Sequence, residues 1–230
     1  MNADGQAVST GVPGGARLLA VNTGQVVEAP WAGRLRRTAI GKRPAAGPVW
    51  ASESGLAGDE QADRAHHGGT YQAAYAYAEE DALFWADRIG RAVPPGAFGE
   101  NLTTIGVDVS GAVVGERWQV GEAVLQVTAP RIPCQVFAAF SDVPDLIKQF
   151  TAAARPGAYL RVVEPGRLRS GDPVRVVHRP DHGVTVRELA RARAGDRSLL
   201  PRLRELAELP PAWQSWVRSA SREPDREPAG

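Results

Sequence analysis

The segment Ala158-Tyr-Leu-Arg-Val-Val163, Glu164-Pro-Gly166, then Ser170-Gly-Asp-Pro173 and Val174-Arg-Val-Val177 carries the signal that decides the fold. Two short runs rich in β-branched residues are separated by Gly, Pro and Asp, residues that restrict or reverse the chain. Both runs are too short for stable helices and read as strands. Towards the N-terminus the pattern repeats. Trp118 and Val120, then Val124, Leu125 and Val127, flank the turn Gly121-Glu122, and Tyr71, Ala73, Tyr75 and Tyr77 alternate with smaller residues. Short strands between Gly and Pro punctuation predict a closed or nearly closed β-barrel, a β-rich, mixed fold with a few helices. Helices are expected around Glu79–Arg88 and Asp145–Ala154, where Leu146, Ile147 and Phe150 share a helical face.

The chain changes character after His182. Thr185 and Glu188 form a capping box, Leu199, Leu203 and Leu206 keep helical spacing, and Trp213, Trp216 and Val217 do so after Pro210-Pro211. Three short amphipathic helices are expected, each too short to stand alone. Their apolar stripe should dock on the barrel or on a redox partner. The expected organisation is a flexible N-terminus (1–15), the barrel domain (16–180), a three-helix extension (183–218) and a flexible tail (219–230).

With 27 basic and 26 acidic residues, the chain lacks the charge bias of a nucleic-acid or membrane binder. One cysteine excludes an intrachain disulfide and any site built from several thiolates. No signal-peptide pattern and no run of about 20 apolar residues is present, so a cytoplasmic location is expected.

Four segments carry candidate chemistry. Gly55-Leu-Ala-Gly-Asp59-Glu-Gln-Ala-Asp63, leading to His66-His67-Gly68-Gly69, offers acids and histidines for a metal, although such spacing more often marks a turn with a helix cap and solvated charges. Gly96-Ala-Phe-Gly99-Glu100-Asn101-Leu-Thr103-Thr104 can present amides, Asn101 and Thr103 to a phosphate or pterin, or can satisfy its own turn. In Pro130-Arg131-Ile132-Pro133-Cys134 the arginine favours a thiolate able to ligate a soft metal, although a lone cysteine is more often a small buried hydrophobe. Ile40-Gly41-Lys42-Arg43-Pro44 is a phosphate-holding pair of cations or a solvated turn. No G-x-S-x-G elbow, P-loop or dinucleotide fingerprint is present.

Taken in order, these segments, continued through Gly157-Ala-Tyr-Leu-Arg-Val162 and Ser170-Gly-Asp172, resemble the MOSC family over roughly residues 30–180. The helical tail resembles that of stand-alone bacterial members, and no pyridoxal-phosphate domain accompanies it. The resemblance implies a barrel-like fold and a molybdenum cofactor (molybdopterin) whose metal is ligated by Cys134, the catalytic residue, with Arg131 as its cationic neighbour. Lys42, Asp59, His67, Asn101 and Thr103 are the further cofactor-pocket candidates. It also implies reduction of N-hydroxylated small molecules with electrons from separate redox proteins. The alternative is a carrier of molybdopterin or of persulfide sulfur on Cys134.

Overall fold

The computed structural model describes residues 15–63 and 68–222. The expected flexible N-terminus and the end of the expected tail therefore lie largely outside the described residues, as does His67. The strands in chain order are β1 (Arg17–Thr23), β2 (Val27–Glu28), β3 (Arg37–Thr38), β4 (Arg43–Pro44), β5 (Val49–Ser52), β6 (Gly55–Leu56), β7 (Ala74–Ala78), β8 (Leu102–Ile105), β9 (Arg117–Val120), β10 (Ala123–Pro130), β11 (Ala158–Glu164), β12 (Gly166–Leu168) and β13 (Val174–His178). The helices are α1 (Glu79–Ile89), α2 (Gln135–Ser141), α3 (Leu146–Ala153), α4 (Val186–Arg193), α5 (Leu200–Arg204) and α6 (Pro211–Ala220).

One sheet runs β13-β9-β10-β11-β7-β8-β1-β4, antiparallel except where β7 meets β8. Its far edges come back together. Leu18 N–H donates to the Asp172 carbonyl at 2.8 Å, Gly171 N–H to Leu18 at 2.9 Å, and Val174 N–H to Ala16 at 2.9 Å. The approach to β13 thus closes against β1, removing most of the open edge and giving the barrel that the strand spacing predicts.

Two cores sit on opposite sides of the barrel wall. The interior is filled by Leu18, Leu102, Trp118, Leu125, Val127, Leu160 and their neighbours. The outer core is aromatic: Tyr75, Tyr77, Trp85, Phe98, Phe137 and Phe150 pack together between the wall and α1–α3. Strand β7 explains the division. Ala74, Ala76 and Ala78 join the interior while Tyr75 and Tyr77 join the aromatic core, because side chains alternate across a strand. Both faces of β7 are buried.

Two local readings differ from expectation. Tyr71 is not in a strand, because Thr70–Gln72 forms a 3₁₀ turn before β7 and leaves Tyr71 exposed. Helix α2 was not anticipated: its seven residues show too little periodicity, and only burial of Phe137 in the aromatic core fixes its place.

The three terminal helices share the barrel's interior core. Val184, Val186, Leu189, Leu203, Leu209 and Val217 belong to it, and Val114 N–H donates to the Val184 carbonyl at 3.0 Å. The capping box is present: Glu188 N–H donates to Thr185 Oγ1 at 3.2 Å and Thr185 N–H to Glu188 Oε2 at 2.8 Å. Trp213 and Trp216, edge to face at 5.5 Å, pack against this core while partly buried. Among the described residues no helix is long and apolar enough to cross a membrane.

Candidate functional site

A half-open cavity of about 320 Å³ lies beside the outer face of the barrel wall. That volume is at the lower end of the range that takes small organic ligands. Its floor and walls come from four places far apart in sequence: the segment 32–42, residues 59–63 with Gly68 and Gln72, the loop residues Gly99 and Asn101, and the run from Arg131 to Val136. Tyr75 of β7 and Tyr159 of β11 complete it.

Cys134 sits where β10 has ended and α2 begins, in extended conformation (φ −124°, ψ 170°) and half-buried. The two prolines around Arg131 hold this passage straight, so that Ile132 turns outward, 42% exposed, while Arg131 turns inward. The Arg131 guanidinium donates to the Phe98 carbonyl and lies over the rings of Phe137 (4.1 Å) and Tyr75 (5.1 Å). Burial alone lowers its pKa, but the Tyr75 and Tyr159 oxygens and the Cys134 thiol outweigh that and raise it. Arg131 is thus a fixed cation at the cavity wall beside the thiol.

Beneath the cavity runs a buried polar network. Asp59 accepts from the Lys42 ammonium, from Gly24 N–H at 2.8 Å and from Asn101 Nδ2 at 2.9 Å. Asn101 donates also to the Asn22 carbonyl at 3.2 Å and accepts from Tyr75 N–H at 3.1 Å. Thr103 accepts from Asn22 Nδ2 and donates to Glu100, each at 2.9 Å. Glu100, buried, also takes the amides of Gly96 (2.6 Å) and Phe98 (3.1 Å). Burial raises the Glu100 pKa against those hydrogen bonds.

The structure brings Lys42, Asp59, Asn101, Arg131 and Cys134 to one cavity, whose lining does not include Thr103. His67 lies outside the described residues. In the glycine-rich loop the turn amides are taken within the loop itself, the second of the two readings its sequence left open, while Asn101 lines the cavity. The Gly96 and Phe98 amides are turned onto Glu100, and the Asn101 side chain is engaged at both ends, so Asn101 braces Asp59. The glycines serve packing. A Cβ at Gly96 (φ +85°) would stand 2.5 Å from the Lys42 carbonyl, and one at Gly99 (φ +73°) 2.8 Å from Ile40 Cγ1. They let this loop press against the strip that carries Lys42.

Asn101→Ala therefore strands the Tyr75 amide, the Asn22 carbonyl and one Asp59 oxygen. Each buried group left unpaired costs about 1–3 kcal/mol. The expected result is a thermal unfolding midpoint several degrees below the parent's, measured by circular dichroism; an unchanged midpoint contradicts the bracing role.

Several cavity residues escaped sequence reasoning. Arg34, Leu35 and Arg37 lie on the β2–β3 hairpin, whose strands of two residues carry no readable period. This hairpin leans on α2 through Trp31 and Phe140, stacked at 6.0 Å. Tyr75 and Tyr159 were legible as strand residues, and the alternation in β7 gave a face without saying what that face meets.

The donor set has one thiol and four cations, Arg34, Arg37, Lys42 and Arg131. The cavity carboxylates are Asp59, tied as described, Glu60, which accepts from Val26 N–H at 2.7 Å, and Asp63. Among the described residues no group of three His, Cys, Asp or Glu could hold a metal ion by itself. Gln72 Oε1, a buried acceptor on a cavity-lining residue, has no hydrogen-bond partner among the described residues. This chemistry suits an anionic organic ligand that brings a thiophilic metal to Cys134, and not a hard cation held by oxygen ligands.

Residues 63–175 match the MOSC domain model. The chain is 31% identical over 209 residues to the uncharacterized protein YflK of Bacillus subtilis (strain 168), covering 91% of this chain and 95% of that one. It is 30% identical over 202 residues to a protein of Gibberella moniliformis named Reductase, covering 84% of this chain and 35% of that one. The crystal structure of YiiM from Geobacillus stearothermophilus superposes with a TM-score of 0.75 at 25% identity, covering 89% of this chain and 98% of that one.

Proposed function

The chain belongs to the MOSC-domain family, and from that premise we propose that it is a molybdenum-cofactor-dependent oxidoreductase that reduces N-hydroxylated small molecules with electrons from separate redox proteins. The observation that carries this reading is the juxtaposition of Cys134 and the permanently charged Arg131 in one ligand-sized cavity. The name Reductase borne by the Gibberella moniliformis relative supports the reaction class.

The residues fit the cofactor on the chemistry of the cavity itself. Cys134 would hold the metal, Arg131 and the hairpin cations Arg34 and Arg37 would face its anionic part, and Gln72 Oε1 would accept from a heterocyclic N–H. When bound, the cofactor supplies two-electron oxygen-transfer chemistry that side chains lack. The chain's own contribution is position and charge. Tyr75, Phe137 and the Phe98 carbonyl lock the Arg131 guanidinium, which keeps a fixed positive field at the thiol through turnover. The β2–β3 hairpin supplies one wall of the cavity, with Arg34, Leu35 and Arg37.

Turnover separates this reading from a carrier of sulfur or cofactor. Purified protein given a reductant and an N-hydroxylated aromatic amidine or nucleobase should form the N–H product catalytically. A persulfide on Cys134 found by intact-mass analysis, with no product formed beyond one equivalent, supports the carrier instead.

A further inference from the structure

Two of the 27 cationic residues in this chain are lysines, Lys42 and Lys148, and the rest are arginines. One of the two stands in the cavity. An arginine does not release a proton at any physiological pH, whereas a buried lysine does so readily. A lysine at the one cavity position paired to a buried carboxylate is thus a chemical distinction in a chain that otherwise uses arginine for positive charge.

The surroundings of Lys42 are those of a positioned acid. Its side chain is 8% exposed and that of Asp59 is 1% exposed. Asp59 cannot turn away, since Gly24 N–H and Asn101 Nδ2 hold it. The backbone of Lys42 is equally fixed, pressed between Gly24 and Gly96, whose absent Cβ atoms would meet Lys42 Cγ at 3.2 Å and the Lys42 carbonyl at 2.5 Å. Of the three ammonium N–H bonds one reaches Asp59, and the others have no acceptor among the described residues.

We propose that Lys42 is the proton donor of the cavity, delivering a proton from Nζ to the oxygen that leaves when the substrate N–O bond breaks. This rests on the reductase reading given above. The balance is R–NH–OH plus two electrons and two protons, giving R–NH2 and water. The electrons come from a reduced carrier protein, or dithionite in an assay. One proton comes from Lys42 and one from solvent, and the neutral amine is reprotonated by water through the open mouth. Asp59 is the positioning residue that holds Nζ in place.

The other cavity groups are poorer donors. Arg131 stays charged, Tyr75 donates its hydroxyl to the Pro156 carbonyl at 2.7 Å, and burial raises the pKa of both Tyr75 and Tyr159. The charged groups facing Lys42 are Asp59, Arg131 and Glu100. Burial lowers the Lys42 pKa, Arg131 adds to that, and Asp59 and Glu100 oppose it without reversing it. The donating form is the protonated one, so turnover should fall as pH rises through the Lys42 pKa.

The test uses the cofactor-loaded parent, K42R and K42M, each shown to be folded by circular dichroism. Both variants should carry molybdenum and pterin at the parent's level. Turnover should drop about 100-fold or more in both, the scale of a lost general acid. In parent protein labelled with 13C at lysine Cε, two resonances are expected, and K42R identifies the one belonging to Lys42. That resonance should titrate below the ordinary lysine value in the cofactor-free chain, and in the holoprotein with the alkaline limb of the turnover profile. K42R turning over at the parent's rate overturns the proposal, because charge alone then suffices. Loss of pterin from a folded K42M or K42R also overturns it and makes Lys42 an anchor. A parent that holds neither metal nor pterin and does not turn over refutes the reductase reading, and the proposal falls with it.

Discussion

Cys134→Ala is expected to abolish metal-dependent reduction while leaving the fold in place. The substitution removes one small, half-buried side chain at the junction of β10 and α2, and the stability loss should be on the order of 1 kcal/mol. No other thiol exists in the chain to take over the metal, and neither a methyl group nor a serine hydroxyl is a comparable charge-donating ligand. Some pterin can remain on Arg131 and the hairpin cations. Turnover, metal content and the unfolding midpoint, measured on variant and parent together, give the answer. Full activity with full metal content reduces Cys134 to a packing residue.

Phe98→Ala should have the largest effect on stability, about 3–5 kcal/mol, as for other aromatic truncations in a packed core. Phe98 meets Tyr77 at 5.3 Å, Phe137 at 5.3 Å, Phe150 at 6.2 Å and Trp85 at 6.3 Å, all edge to face, and is 3% exposed. Its carbonyl also receives the Arg131 guanidinium. The variant should therefore melt well below the parent and, where it remains folded, bind the cofactor more weakly because Phe137 and Arg131 shift together. Chemical denaturation gives the first quantity and pterin content the second. A stability loss below about 1 kcal/mol contradicts the view that the aromatic core holds the site in place.

Much of the barrel was legible because its strands alternate and its turns carry Gly, Pro and Asp. The hairpin of β9 and β10 follows from Gly121-Glu122, and β11 and β13 follow from Glu164-Pro-Gly166 and Ser170-Gly-Asp-Pro173, while β12, which starts at Gly166, was read as part of the turn. Capping chemistry likewise placed α4. Elements held by tertiary contacts rather than by local pattern were missed: α2, fixed by Phe137, and the β2–β3 hairpin, fixed by the stack of Trp31 on Phe140. At the site, residue types left Cys134, Arg131, Lys42 and Asp59 open and the family resemblance pointed to them, and the fold brings them to one cavity. Asn101 lines that cavity, but its bracing of Asp59 was not legible, for a reason no single segment displays. The acceptors that engage its side chain, Asn22 and Asp59, lie 79 and 42 residues away in sequence.

The most direct test of the account is the molybdenum and pterin content of the full chain purified from a host that makes the cofactor. The account predicts metal and released fluorescent pterin in near-equal amounts, both tracking the protein through size-exclusion chromatography. Folded protein from such a host that carries neither would contradict it.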